Sequence, residues 1–244
     1  MSPKIEHSEK GKKKMARQHW KGGNMLYPVP AVMVSCGREG EDPNIITVAW
    51  AGTVCTNPPM LSISVRPERY SYDIIKETKE FVVNLTTKEL TFATDYCGVR
   101  SGRQVNKFKE MNLTPMKSQH IKAPAIAESP VNIECQVVDI QELGSHHMFI
   151  AKVLGVTVDD EYMDEKGKFN LNEIGLVAYS HGEYFLLGEK LGKFGYSVQK
   201  KKNPEKTSKK SDKKQKNNTE KRKSNRATKK QTKGRKVGTS RKEK

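Results

Sequence analysis

The chain of 244 residues predicts a mainly β fold, a β-barrel decorated with helices and followed by a disordered basic tail. Three observations carry that expectation. Six or more short segments rich in β-branched and apolar residues, several alternating with polar ones, are separated by turn-forming residues. Helical periodicity is confined to two or three short stretches. Beyond Tyr196 apolar residues nearly vanish, with only Ala227 and Val237 in residues 200–244, so nothing there can be buried to offset chain entropy.

Taken in order, residues 1–24 hold no apolar run long enough for a signal-peptide core or a membrane span, which predicts a flexible lead into a cytoplasmic protein. Leu26-Tyr27-Pro28-Val29-Pro30 is an extended entry that its prolines keep out of a helix. Residues 31–36 form a first strand, residues 37–44 a polar turn and residues 45–50 a second strand. Ala49 to Thr53 is expected to be a turn of small residues, and Pro58-Pro59 breaks the chain before Leu61, Ile63 and Val65 alternate with Ser62 and Ser64 in a third strand. After Pro67, Tyr70, Ile74, Ile75 and Thr78 mark a short helix opened by Ser71 or Asp73. Residues 81–85 are a fourth strand. Residues 87–97 follow as a helix with Thr87 at its N-cap, ending at Gly98.

Residues 99–127 are polar and weakly periodic, an excursion with one short helix near residues 105–111. Strand patterns resume at residues 131–140 and 147–158 around the turn Leu143-Gly144-Ser145. A loop over residues 159–172 leads to a last element at residues 177–179 and 184–187.

Charge divides the chain sharply. Residues 200–244 carry 21 Lys or Arg and four acids, a net +17, which leaves 24 basic and 24 acidic residues in the first 199. The tail therefore has the electrostatics to hold nucleic acid or an acidic partner without sequence specificity, because no aromatic residue is interleaved to stack bases. Cys36, Cys55, Cys97 and Cys135 lie at long spacings without a C-x-x-C pair, which argues against zinc and a redox dithiol and for free thiols; no metal ligand set is expected. Cys97 is the one to watch, since it opens C-G-V-R-S-G-R. G-x-S-x-G, H-E-x-x-H, Walker and G-x-G-x-x-G fingerprints are all absent.

The chemistry gathers at residues 44–84. Small residues at Ala49, Ala51 and Gly52 let a flat ligand approach backbone N–H groups, and Arg66, Arg69, Ser71 and Tyr72 offer donors suited to a phosphate near a helix N-terminus. The segments N-x-x-T-V-A-W (44–50), T-N-P-P (56–59), R-P-E-R-Y-S-Y (66–72), F-V-V-N-L (81–85), C-G-V-R-S-G-R (97–103) and K-F (107–108) occur in family order. Together they resemble the flavin reductase-like, FMN-binding split-barrel family, in its flavoredoxin type.

That resemblance implies a split-barrel domain over residues 25–196, with residues 197–244 as the tail. It also implies bound FMN, with NAD(P)H or a redox protein as the second party, and a homodimer with the flavin at its boundary. Thr47, Val48, Ala49, Trp50 and Thr53 are then expected along the isoalloxazine and ribityl chain. Arg66, Arg69, Ser71 and Lys107 are expected at the phosphate, with Tyr72, Ser101 and Phe108 completing the cofactor set. Gly144-Ser145-His146 matches a G-x-H turn whose histidine is the catalytic candidate, although Ser145 stands where the family has an acid. The rival reading is a non-catalytic barrel that displays the basic tail. Removing residues 200–244 should abolish heparin retention that weakens with salt, while leaving the melting temperature nearly unchanged. A shifted melting transition or undiminished retention would contradict that division.

Overall fold

A computed structural model describes residues 17–199; the basic blocks of the tail and the first part of the N-terminal lead lie outside the described residues. The strands are β1 (Val29–Pro30), β2 (Val32–Cys36), β3 (Asn44–Val48), β4 (Ala51–Cys55), β5 (Met60–Val65) and β6 (Glu80–Leu85), with helix α1 (Tyr70–Thr78) between the last two. Helices α2 (Thr91–Val99) and α3 (Lys107–Glu110) precede β7 (Pro115–Met116), β8 (Ala125–Ile126), β9 (Val131–Leu143), β10 (His146–Val158), β11 (Val177–Ser180) and β12 (Glu183–Leu186). The chain divides after Gly188; residues 189–199 hold one 3₁₀ turn, Tyr196–Val198.

Seven antiparallel strands form one curled sheet in the order β3-β2-β6-β9-β10-β5-β4. Its two edge strands, β3 and β4, are consecutive in sequence. The chain crosses between them at Ala49-Trp50 with no ladder joining β3 to β4, which is the seam of the split barrel.

Inside the curl, Val34, Ile46, Ile63, Val65, Ile74, Phe81, Cys135 and Phe149 form the main core. Outside it, α2 and α3 cover a second cluster of Met33, Ile45, Leu90, Ala93, Cys97, Phe108, Leu113 and Ile126. Strands β2 and β3 are thus buried on both faces, which is why their apolar residues run on without alternation. Cys135 and Val137 likewise face the barrel's own core and Val131 is buried; Val138 is the exposed apolar residue of that stretch.

Three local expectations are corrected. Ala51, Gly52 and Thr53 belong to β4, not to a turn, because they pair with Ile63, Ser62 and Leu61 and complete the sheet edge. Helix α1 has Arg69 at its N-cap without a side-chain cap, since Ser71 is buried in its first turn and its hydroxyl is taken by Asn44. Helix α2 starts at Thr91, because Thr87 is held in a bridge to Leu176 and Lys88 N–H donates to the Gly175 carbonyl.

Asn84 ties the layers together. Its fully buried amide donates to the Met33 carbonyl and Ser35 Oγ, both at 3.0 Å, while Oδ1 accepts from Ile126 N–H at 2.9 Å and Asn132 Nδ2 at 2.8 Å. Asn84→Ala should therefore cost about 3 kcal/mol in urea unfolding, because it strands buried donors as well as opening a cavity. A loss below about 1 kcal/mol would show that water replaces the amide.

No helix among the described residues is long and apolar enough to cross a membrane, and no group of three or more His, Cys, Asp or Glu among them is placed to hold a metal.

Candidate functional site

Two cavities lie at the two ends of strand β3. The first, of about 340 Å³, is bounded by Asn44, the start of α1 and the segment from Cys97 to Gly102, with Lys107 beside them. Asn44 is buried at the head of β3, and its Nδ2 donates to Ser71 Oγ at 2.7 Å. Gly102 closes over this pair: a Cβ there would stand 2.2 Å from Asn44 Oδ1 and 2.6 Å from the Tyr70 ring, so only glycine fits.

Lys107 is 3% exposed, and its ammonium donates to the Ile45 carbonyl at 2.6 Å and the Cys97 carbonyl at 2.7 Å. Those two bonds leave one N–H of the three. Burial pulls its pKa down from the usual 10.5 to about 8, with the nearby Arg69 charge acting in the same direction. Arg69 and Arg100 also line this cavity, against a single acid, Glu68. With the free amides of the first turn of α1, the arrangement is chemically a receptor for an anion.

The second cavity, of about 670 Å³, is lined by the segment from Gly23 to Leu26, Val29, the crossing from Ala49 to Gly52, Ser62 and Ser64. Ser64 N–H donates to the Trp50 carbonyl at 2.8 Å and fixes the crossing, and Tyr27 packs near the Trp50 ring with centroids 6.2 Å apart. A Cβ on Gly52 would meet nothing within 4 Å, so the strand face is open there. Five residues of extended chain separate Asn44 from Ala49, roughly 17 Å.

The other sequence-predicted residues are dispersed. Ala49 and Trp50 line the second cavity, and Arg69, Ser71, Ser101 and Lys107 the first. Ser101 Oγ also accepts the Arg103 N–H. Thr47 donates its hydroxyl to the Thr94 carbonyl of α2, and Val48 is buried in the barrel core. Thr53 is exposed on β4, and Arg66 is exposed with Glu68 3.6 Å away. Phe108 packs in the outer apolar cluster.

Tyr72 points into the barrel, its hydroxyl 2.7 Å from His147 Nδ1 and its ring edge-on to Phe149 at 5.4 Å. His146 sits at the β9–β10 turn, with Nδ1 2.9 Å from Ser145 Oγ, and lines neither cavity. Burial, helped by Arg66, holds its pKa below the ordinary histidine value. Burial pushes the Cys97 thiol up to about 11, so it is protonated at neutral pH and is no nucleophile.

Asn44, Arg100 and Gly102 were not among the candidates, although the quoted motifs contain all three. The N-terminal residues from Gly23 to Leu26 carried no signal, since their role comes only from packing over the crossing.

Comparison with known proteins gives a single answer. An uncharacterized protein of Archaeoglobus fulgidus is 34% identical over 160 residues, covering 66% of this chain and 88% of that protein. Among solved structures, flavoredoxin of Desulfovibrio vulgaris superposes with a TM-score of 0.70 at 29% identity, covering 75% of this chain and all of that one. Flavoredoxin of Methanosarcina acetivorans gives 0.67 at 26% identity with the same coverage. The description of the flavin reductase like domain matches residues 24–187, and the chain belongs to that family.

Proposed function

We propose that the chain is a flavin-dependent oxidoreductase that holds FMN across the two cavities. It passes electrons between that flavin and either NAD(P)H or a redox protein. The observation that carries this reading is the cationic first cavity, joined by one edge strand to a shallow, partly apolar cavity over Ala49, Trp50 and Gly52. A ligand with a phosphate at one end and a flat ring at the other matches that layout.

When bound, the flavin supplies reversible hydride and single-electron chemistry. The chain's own residues do the rest. Arg69, Arg100 and Lys107 balance the phosphate charge, and Ser71 Oγ and the first amides of α1 offer hydrogen bonds. Trp50, Met25 and Leu26 shield the ring from water on one side. His146 lines neither cavity, and burial, helped by Arg66, favours its neutral imidazole, able to accept a proton from a partner that reaches the β9–β10 turn.

The similarity to two flavoredoxins supports a flavin-dependent redox role. We further read the working form as a homodimer, for which exposed Val138, Leu154 and Val156 on β9 and β10 offer apolar surface. The free cysteines fit a reducing, cytoplasmic compartment.

Two measurements test the site. Arg69→Ala should weaken FMN binding by about 1.5–3 kcal/mol, the scale of charge-assisted hydrogen bonds, and should hardly affect riboflavin. Equal losses for both ligands would remove the phosphate from this cavity.

The second is a pH titration. Lys107 is charged below about 8 and loses that charge above it. FMN affinity should fall as pH rises through that value, while riboflavin affinity stays flat. For the ligand-free protein the sign is opposite. Between about 8 and 10.5 the folded state binds fewer protons at Lys107 than the unfolded state, so its contribution to stability increases with pH over that window.

A further inference from the structure

Among the side chains lining the anion cavity, Lys107 carries the strongest latent nucleophile, since the arginines stay protonated and burial keeps the Cys97 thiol protonated. We propose that Lys107 is a self-acylation site for acyl phosphates: the cavity takes the phosphate, and the Lys107 amine takes the acyl group. The proposal needs the anion cavity alone and does not depend on the flavin reading.

The surroundings of Lys107 suit its neutral form. A free amine has two N–H groups and one lone pair, and here two carbonyls, of Ile45 at 2.6 Å and Cys97 at 2.7 Å, take two N–H groups. The lone pair then falls at the remaining tetrahedral position, the one left for the cavity that Lys107 lines. Burial and Arg69 bring the pKa to about 8, so a substantial share of Lys107 is free amine near neutral pH, where an exposed lysine is almost wholly protonated. Arg69 and Arg100 line the same cavity and keep their charge, so capture of the anion does not require Lys107 to stay protonated.

In an acyl phosphate the reacting carbon is one bridging oxygen away from phosphorus. A phosphate seated by Arg69, Arg100 and Ser71 therefore brings that carbon to the amine, which turns a bimolecular acylation into a local one. The amine attacks the carbonyl carbon, the bond from that carbon to the bridging oxygen breaks, and inorganic phosphate leaves with the electron pair. The amine proton passes to the phosphate or to water, and nothing is oxidised or reduced. The product is uncharged and keeps one N–H, so one of the two carbonyls loses its bond and the cavity loses a cation. Acylation thus turns the anion site down.

The test incubates the full chain, stripped of any flavin, with acetyl phosphate and follows acetylation by peptide mass spectrometry. Lys107 should be labelled about tenfold or more faster than the exposed Lys76 and Lys88, because more of it is free amine and its acyl donor is held beside it. Its rate should climb as pH rises through about 8. Excess inorganic phosphate should slow it about tenfold and leave Lys76 and Lys88 unchanged. Arg69→Ala should slow labelling by acetyl phosphate but not by a neutral acetyl ester, which separates phosphate capture from a change in the basicity of Lys107. Labelling of Lys107 no faster than of Lys76, or no protection by phosphate, would overturn the proposal. Protection by phosphate but not by FMN would support it and count against the flavin reading.

Discussion

Strand β3 is covered on both faces yet has a ladder partner on one side only. Ile45 is sealed under α2 and α3, and Ile46 and Val48 are sealed in the barrel. Four of its five residues are buried, so most of the polar groups along it need a partner from the protein or from a ligand. Much of the first cavity follows from that need. Asn44 finds Ser71, the Ile45 carbonyl finds Lys107, and the hydroxyl of Thr47 finds the Thr94 carbonyl. No buried side-chain polar atom among the described residues is left without a hydrogen bond.

Lys107 shows what this arrangement costs. Its ammonium has lost most of its hydration and receives only two carbonyls in return, with Arg69 repelling it from nearby. A methionine would fill the same space more cheaply, as burying an isolated charge is unfavourable. Cys36 and Cys97 give no compensation, since burial keeps both thiols protonated, at about 11. A charge held at such cost beside a helix N-terminus and two arginines fits a site whose occupant is anionic, because the occupant supplies the missing countercharge.

What could be read from the sequence follows from how local each cause is. Alternation marked β5, β9 and β10, where buried and more exposed positions take turns along part of each strand, whereas β6, buried on both faces, was marked by its β-branched apolar run. The start of α1 was misplaced by two residues or more, since Ser71 looks like a cap but is claimed by Asn44 from a different strand. The side chains of Phe108 and Val48 pack in the two apolar clusters, and the polar side chains of their segments belong to neighbours such as Lys107 and Thr47. Asn44 and Gly102 were invisible as a pair because 58 positions separate them, and only the fold shows that one excludes a side chain at the other.

The seam explains why the two cavities lie where they do. A curled antiparallel sheet that closed completely would satisfy all its edge groups and leave no backbone for a ligand. Here the two edges are successive strands, and the chain crosses between them at Ala49-Trp50 without a ladder joining them. The crossing is held from one side by the Ser64 N–H on the Trp50 carbonyl, while Gly52 leaves the other side bare. The open edge of β3 then runs from a cationic, enclosed end at Asn44 to a partly apolar end at Ala49. In the proposed reading, that gradient along one strand, more than any single side chain, would set the direction of the flavin, with its phosphate beneath α1 and its ring at the crossing.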